Sequence, residues 1–165
     1  RFQVMAAALA ARAGWALEAI QERLAEIRAK TETVYTLETL EYLARGGRIG
    51  RVQALMGSLL KIKPIIRVAH EDGKYSTVAK TRTVSAALTT ISEHLQTLYS
   101  QTPLWVTVLH GRFETQALAL KQELSTKLNV AKMEVMRISP VLGVHTGPGI
   151  VGAAVTPIAL MQDLL

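Results

Sequence analysis

The sequence predicts an α/β fold, a mixed β-sheet flanked by helices. Three observations carry that expectation. Short Val- and Ile-rich runs alternate with longer apolar stripes at helical spacing through the second half of the chain. An Asp72-Gly73 pair sits between two β-prone runs, the signature of a hairpin, so the sheet is not purely parallel. With 165 residues and 49% hydrophobic content, the chain suits one domain with its own core, and it is too apolar for disorder.

The elements follow in order. Phe2 to Ala13 is Ala-rich and stops at Gly14, a helix-ending residue. Leu17, Ile20, Leu24 and Ile27 form one helical stripe, with Glu18, Glu22, Arg23 and Glu26 elsewhere on that helix. Thr33 to Leu37 reads as a short strand. Leu37, Leu40 and Leu43 restart helical spacing, and Gly46-Gly47 stops it. Arg48 to Leu60 reads as another helix. Ile65 to His70 and Lys74 to Ala79 flank the hairpin turn. Val84, Leu88, Ile91, Leu95 and Leu98 make a helical stripe, and Leu104 to Leu109 a buried strand. Phe113, Ala117, Leu120, Leu124 and Leu128 give a further helix. Ala131, Met133 and Val135 alternate with Lys132 and Glu134 as a half-buried strand, and Ile150 to Val155 is the final strand.

Composition narrows the function classes. There is no cysteine, which excludes disulfides, thiolate catalysis and thiolate metal sites and fits a reducing cytoplasm. Charges break every apolar run before it reaches the length of a membrane span, so stable membrane insertion is not expected. Arg1 leads straight into Phe2-Gln3-Val4-Met5, which is no signal-peptide pattern, and the expected location is cytoplasmic. The first residue is not Met, so the natural start is expected upstream. The net charge of +6 admits nucleic acid, anionic lipid or an acidic partner. Aromatic residues do not alternate with the basic clusters as base-stacking would require, which argues against nucleic acid.

Four places could carry chemistry. In His145-Thr146-Gly147-Pro148-Gly149 an imidazole and a hydroxyl are adjacent, and the glycines allow backbone N–H groups close to a ligand such as a carboxylate. The same residues also suit a tight turn between two strands, and both readings stay open. In Arg45-Gly46-Gly47-Arg48-Ile49-Gly50-Arg51 arginines stand at a helix start, where anions are favoured; a helix corner with solvated charges is the plainer reading. In Lys80-Thr81-Arg82-Thr83 either threonine could cap the next helix, and Arg82 opposes the helix dipole unless an anion joins it. His110-Gly111-Arg112 follows a strand but reads as an ordinary strand-to-helix turn. No nucleophile elbow, His-Glu-x-x-His pattern or partnered carboxylate pair is present. The histidines at 70, 94, 110 and 145 lack metal-ligand spacing, and His94 reads as structural. As an enzyme the chain looks poor, and no catalytic residue, metal or cofactor is expected.

Three segments carry a resemblance. "TLETLEYLARGGRIGRVQALMGSLLKIKPII", "KYSTVAKTRTVSAAL" and "ISPVLGVHTGPGIVGAAV" resemble, in order and spacing, signature segments of the DegV family of bacterial fatty-acid-binding proteins. The resemblance covers essentially the whole chain. It implies a carrier that holds one long-chain fatty acid in a tunnel between an N-terminal and a C-terminal domain. In several members that carrier is the acyl-carrying subunit of a fatty acid kinase, whose catalytic subunit phosphorylates the bound carboxylate. By matching motif, His145 would hydrogen-bond the carboxylate, with Thr146, Gly147 and Gly149 forming the ligand loop together with Pro148. Arg48 and Arg82 would face the carboxylate end or the kinase and its nucleotide. The family's N-terminal domain is not matched; residues 1–165 resemble the C-terminal domain, with 1–14 as the helix that follows the missing one. A fragment with one wall of the tunnel is expected to bind lipid poorly and to self-associate. Two alternatives remain beside the carrier: an anion-dependent enzyme using the same Arg and His residues, and a basic nucleic-acid-binding regulatory domain.

Overall fold

A computed structural model describes residues 1–50, 52 and 62–164. Helices α1 (Phe2–Arg12) and α2 (Leu17–Lys30) lead into strand β1 (Glu32–Leu37) and short helix α3 (Glu41–Arg45). Strands β2 (Lys63–Val68) and β3 (Tyr75–Thr81) form the hairpin, followed by α4 (Val84–Tyr99) and β4 (Leu104–His110). Then come α5 (Glu114–Lys127), β5 (Val130–Arg137), α6 (Pro140–Thr146), β6 (Ile150–Pro157) and α7 (Ala159–Gln162). The helix expected over residues 48–60 falls largely outside the described residues.

The strands form one six-stranded sheet in the order β3-β2-β1-β6-β4-β5. Among the described residues only β4 and β5 pair in parallel, joined through α5; every other pair is antiparallel. The mixed α/β expectation therefore holds. The hairpin turns where Asp72-Gly73 predicts it: Gly73 has φ +69°, and the Ala69 N–H donates to the Lys74 carbonyl at 2.9 Å.

Strand alternation divides the core by face. On one face Val34, Ile65, Val106, Val108, Val151, Ala153 and Val155 pack under α4 and α5. The α5 stripe is buried as predicted at Ala117, Leu120, Leu124 and Leu128. On α4, Leu88, Ile91 and Leu95 are buried but Leu98 is exposed, because Tyr99, four residues after Leu95, packs against the core at the stripe's end. The Tyr99 hydroxyl accepts from the Glu32 N–H (2.9 Å) and lies 2.8 Å from the Lys30 carbonyl. Glu32 is buried beside it, gripped at two points by Arg67 (3.0 and 3.1 Å), and His94 Nε2 lies 3.7 Å away, so His94 packs against a structural ion pair.

The opposite face is covered in two pieces. At one end Phe2, Ala6, Ala10, Ile27, Trp105 and Met161 join α1, α2 and α7 to the sheet. Leu17, expected in the α2 stripe, is exposed at the first turn, where the helix has yet to reach the sheet. At the other end Tyr35, Leu37, Ile66 and Ile150 pack with Leu43 and Val52. Between the two pieces the described residues leave a slot, and the candidate site adjoins it.

Candidate functional site

The segment before the His-Thr-Gly-Pro-Gly motif is a helix rather than an extended apolar run. Ser139 is the N-cap, its Oγ accepting from the Leu142 N–H, and Pro140 occupies the first turn, where its missing N–H costs nothing. The helix ends at Thr146 because Gly147 adopts φ +78°, a conformation glycine enters without strain. The plain two-strand turn is thereby excluded: His145 and Thr146 sit in the last turn of α6, and Gly147-Pro148-Gly149 joins that helix to β6. Its two flanking turns of apolar surface are not all buried, since Val141 and Val144 are 76% and 70% exposed.

The glycine motifs belong to one packing unit. A β-carbon at Gly46 would overlap His145 Nδ1, and one at Gly147 would overlap the Tyr42 ring. Helices α3 and α6 can therefore touch, and the two sequence motifs meet in space. Gly149 lies as tightly against Glu38, whose N–H donates to the Gly149 carbonyl at 2.9 Å. On the far side the Arg112 N–H donates to the Pro148 carbonyl at 2.7 Å. His145 is half-buried, with Nδ1 buried and unpartnered among the described residues. Thr146 is buried, and its hydroxyl is 3.0 Å from the Leu142 carbonyl, which leaves the oxygen lone pairs as its remaining capacity.

Arg48 follows α3 directly and is exposed; its N–H donates to the Leu43 carbonyl at 2.8 Å. Arg82 is also exposed and stands one residue before Thr83, the N-cap of α4, whose Oγ1 accepts from the Ala86 N–H. Neither guanidinium forms an ion pair with a described residue. The sheet register gathers these groups at one end. Thr81 pairs with Lys63, whose ammonium reaches the Glu38 carbonyl at 2.6 Å, and Leu37 pairs with Ile150 just beyond Gly149. At the same end His110 pairs with Arg137 on β5. That end thus presents Arg48, Lys63, Arg82, Arg112 and Arg137 around the His145 imidazole, more cations than the Glu38 carboxylate beside Gly149 offsets, an arrangement suited to an anion.

Two hollows adjoin the motif. One is a wide cleft of about 690 Å³ lined by Arg112, Arg137, Ser139, Gly143, Gly147 and Pro148. The other is a slot of about 140 Å³ on the open face, lined by Val34, Tyr35, Val68, Leu109, Ile138, Leu142, Thr146, Ile150 and Gly152 among others. Its walls are almost wholly apolar. Its size approaches the roughly 150 Å³ of an apolar cavity that stays dry and takes up benzene, so it accommodates a hydrocarbon segment. Thr146 lines it, whereas His145 is turned toward Gly46. Among the described residues no group of three His, Cys, Asp or Glu could hold a metal ion, and no helix is long and apolar enough to cross a membrane.

Several residues of this region were not legible in the sequence. Tyr42 and Glu38 matter because they meet glycines more than a hundred positions away, and Tyr35, Ile138 and Leu142 line the slot only after the strands align. Arg112, read as part of an ordinary turn, lines the cleft and is tied by its N–H to Pro148.

The chain is similar to known proteins over nearly its whole length. The family model DegV, bearing the description "Uncharacterised protein, DegV family", matches residues 1–157. A DegV domain-containing protein of Clostridium perfringens is 40% identical over 152 residues, which is 92% of this chain and 54% of that protein. One from Deinococcus radiodurans is 35% identical over 157 residues, 94% of this chain and 55% of that protein. The chain spans about half the length of the curated relatives it matches. Among solved structures, a fatty-acid-binding DegV family protein from Streptococcus agalactiae superposes with a TM-score of 0.84 at 27% identity, covering 94% of this chain and 54% of that one. A DegV family protein from Thermus thermophilus, its structure named for fatty acid binding, gives 0.86 at 29% identity, covering 94% and 55%. The matched family model spans the sheet and the motifs at its basic end alike, and the chain belongs to the DegV family.

Proposed function

We propose that this chain binds a long-chain fatty acid, with the carboxylate at the His145 end and part of the hydrocarbon chain in the apolar slot. The observation that carries the reading is the slot itself: an almost wholly apolar hollow whose wall includes Thr146, one residue from an imidazole at the basic end of the sheet. A fatty acid has that distribution of polarity, one anionic head and a long apolar tail. The Streptococcus and Thermus neighbours named for fatty acid binding support it. The slot takes only a segment of a long acyl chain, so the remainder must be covered elsewhere. The reading treats residues 1–165 as one domain of a larger carrier.

In this reading the protein is a carrier rather than a catalyst, and it offers the carboxylate to a partner kinase that forms an acyl phosphate. What supports the partner is the exposure of Arg48 and Arg82, two guanidiniums at the basic end with no ion pair among the described residues. Such cations suit the phosphates of a nucleotide, and a nucleotide-dependent partner carries a cytoplasmic location with it. The test is native mass spectrometry of the full-length carrier that contains this domain, purified from a bacterial host. One copurifying long-chain acid per protein is expected. Protein free of acyl chains that also fails to take up added palmitate or oleate overturns the reading.

A further inference from the structure

We infer that the cleft beyond the carboxyl ends of β4 and β5 is a ligand site distinct from the apolar slot. It takes a soluble phosphate monoester, with the phosphate between Arg112 and Arg137 and the organic part against α6. The inference is independent of the fatty-acid reading, and neither Arg48 nor Arg82 lines this cleft. β4 and β5 are the parallel pair, and crevices beyond the carboxyl ends of parallel strands are where α/β sheets hold ligands. Backbone bonds fix the walls there. The Ile138 N–H donates to the His110 carbonyl at 2.9 Å, and the Arg112 N–H to the Pro148 carbonyl at 2.7 Å. The volume of about 690 Å³ is ample for a small phosphorylated molecule.

Gly143 is the observation that points to an occupant. It stands in the middle of α6 and lines the cleft. Glycine inside a helix costs stability relative to alanine, because it has more backbone freedom to lose. Nothing among the described residues requires it. Gly143 has no positive φ, and a β-carbon there would meet Ile138 Cδ1 at 3.7 Å, an ordinary contact. At Gly46, Gly111 and Gly147, by contrast, a β-carbon would overlap a neighbour. The bare backbone at Gly143 therefore serves the cleft, where it lets a ligand lie close against the helix.

Charge sets the class of ligand. Arg112 and Arg137 both line the cleft, both are exposed, and neither forms an ion pair or a side-chain hydrogen bond with a described residue. No acidic side chain among the described residues lines it, whereas Glu71 and Asp72 line the hollow at the hairpin turn and Glu32 the one beside Tyr99. Two like charges facing one open space repel until an anion joins them. A phosphate monoester brings nearly two negative charges at neutral pH and oxygens that match the guanidinium fork, where a carboxylate brings a single charge. Ile138, Pro140 and Val144 give the organic part of the ester an apolar wall.

The test is titration calorimetry of the full-length carrier that contains this domain. The probes are phenyl phosphate and benzoate, which share a ring and differ in the anion, and inorganic phosphate. Phenyl phosphate should bind once per chain, about tenfold or more tighter than benzoate, and tighter than inorganic phosphate. Arg112→Gln and Arg137→Gln should each weaken it about tenfold, the scale of a charge-assisted contact. Gly143→Ala should weaken it by a similar factor and yet raise the urea midpoint, since alanine is the better helix former. No saturable phenyl phosphate binding up to millimolar concentration, benzoate binding as tightly, or an affinity unmoved by all three substitutions overturns the inference. So does a lowered midpoint in Gly143→Ala, which makes that glycine a packing requirement.

Discussion

Gly46 lies against the imidazole of His145 so closely that a β-carbon at position 46 would overlap Nδ1. The backbone at Gly46, φ −81° and ψ 2°, is open to alanine, so the constraint is the histidine and not the chain. Gly46→Ala should therefore act as a mutation of His145 delivered from another element. We expect both Gly46→Ala and His145→Ala to weaken fatty-acid binding about tenfold or more, near 1.4 kcal/mol, with an unchanged far-UV circular dichroism spectrum. Titration calorimetry on the full chain checks this; wild-type affinity in both variants would leave His145 a packing residue only.

Arg48 and Arg82 should separate binding from transfer. Each is exposed and outside the slot, so alanine at either position is expected to leave acyl affinity within about threefold. Phosphorylation by the proposed partner kinase should slow about tenfold or more, the scale of one charge-assisted contact. Rates measured at saturating lipid decide the matter: normal turnover there would remove both residues from the partner-facing surface.

Gly152 is another close approach, in the lining of the slot. A β-carbon there would overlap the Val34 carbonyl oxygen and the Tyr35 Cα and Cβ, all parts of a central strand that cannot yield without disturbing the sheet. Gly152→Ala should cost about 1–3 kcal/mol of stability by overpacking. Urea denaturation would show it as a lower midpoint at unchanged slope, and an unchanged midpoint would mean that the two strands separate freely.

Alkaline pH should loosen the molecule through Tyr99. Burial is the largest influence on its hydroxyl, which is pushed up from 10.0 to about 12. Between those values the folded chain keeps a proton that the unfolded chain has lost. Stability is therefore fully present below pH 10 and falls as pH rises toward 12. Denaturation curves across that window should show a shallower decline in Tyr99→Phe than in wild type. At neutral pH that variant should be less stable by about 1 kcal/mol for the hydrogen bonds to Glu32 and Lys30.

The sequence by itself determined the elements whose signals are local. Asp72-Gly73 set the hairpin because a tight reversal needs positive φ at one residue, and the Leu120–Leu124 spacing set the buried face of α5 because a helix returns to one side every three to four residues. The resemblance named the family from motifs that are contiguous in the chain. The helix Pro140–Thr146 was hidden, since two glycines and a short apolar run offer no period to read. Tertiary structure alone decided the site. Gly46 and His145 stand 99 positions apart and meet only because β1 and β6 are neighbours in the sheet. The slot beside Tyr35 exists only because Val68, Leu142 and Gly152 arrive from three other elements to wall it. Local patterns dictate conformation because their causes act within one turn or one strand. A cavity is the space that several distant segments leave unfilled, and no single segment carries its outline.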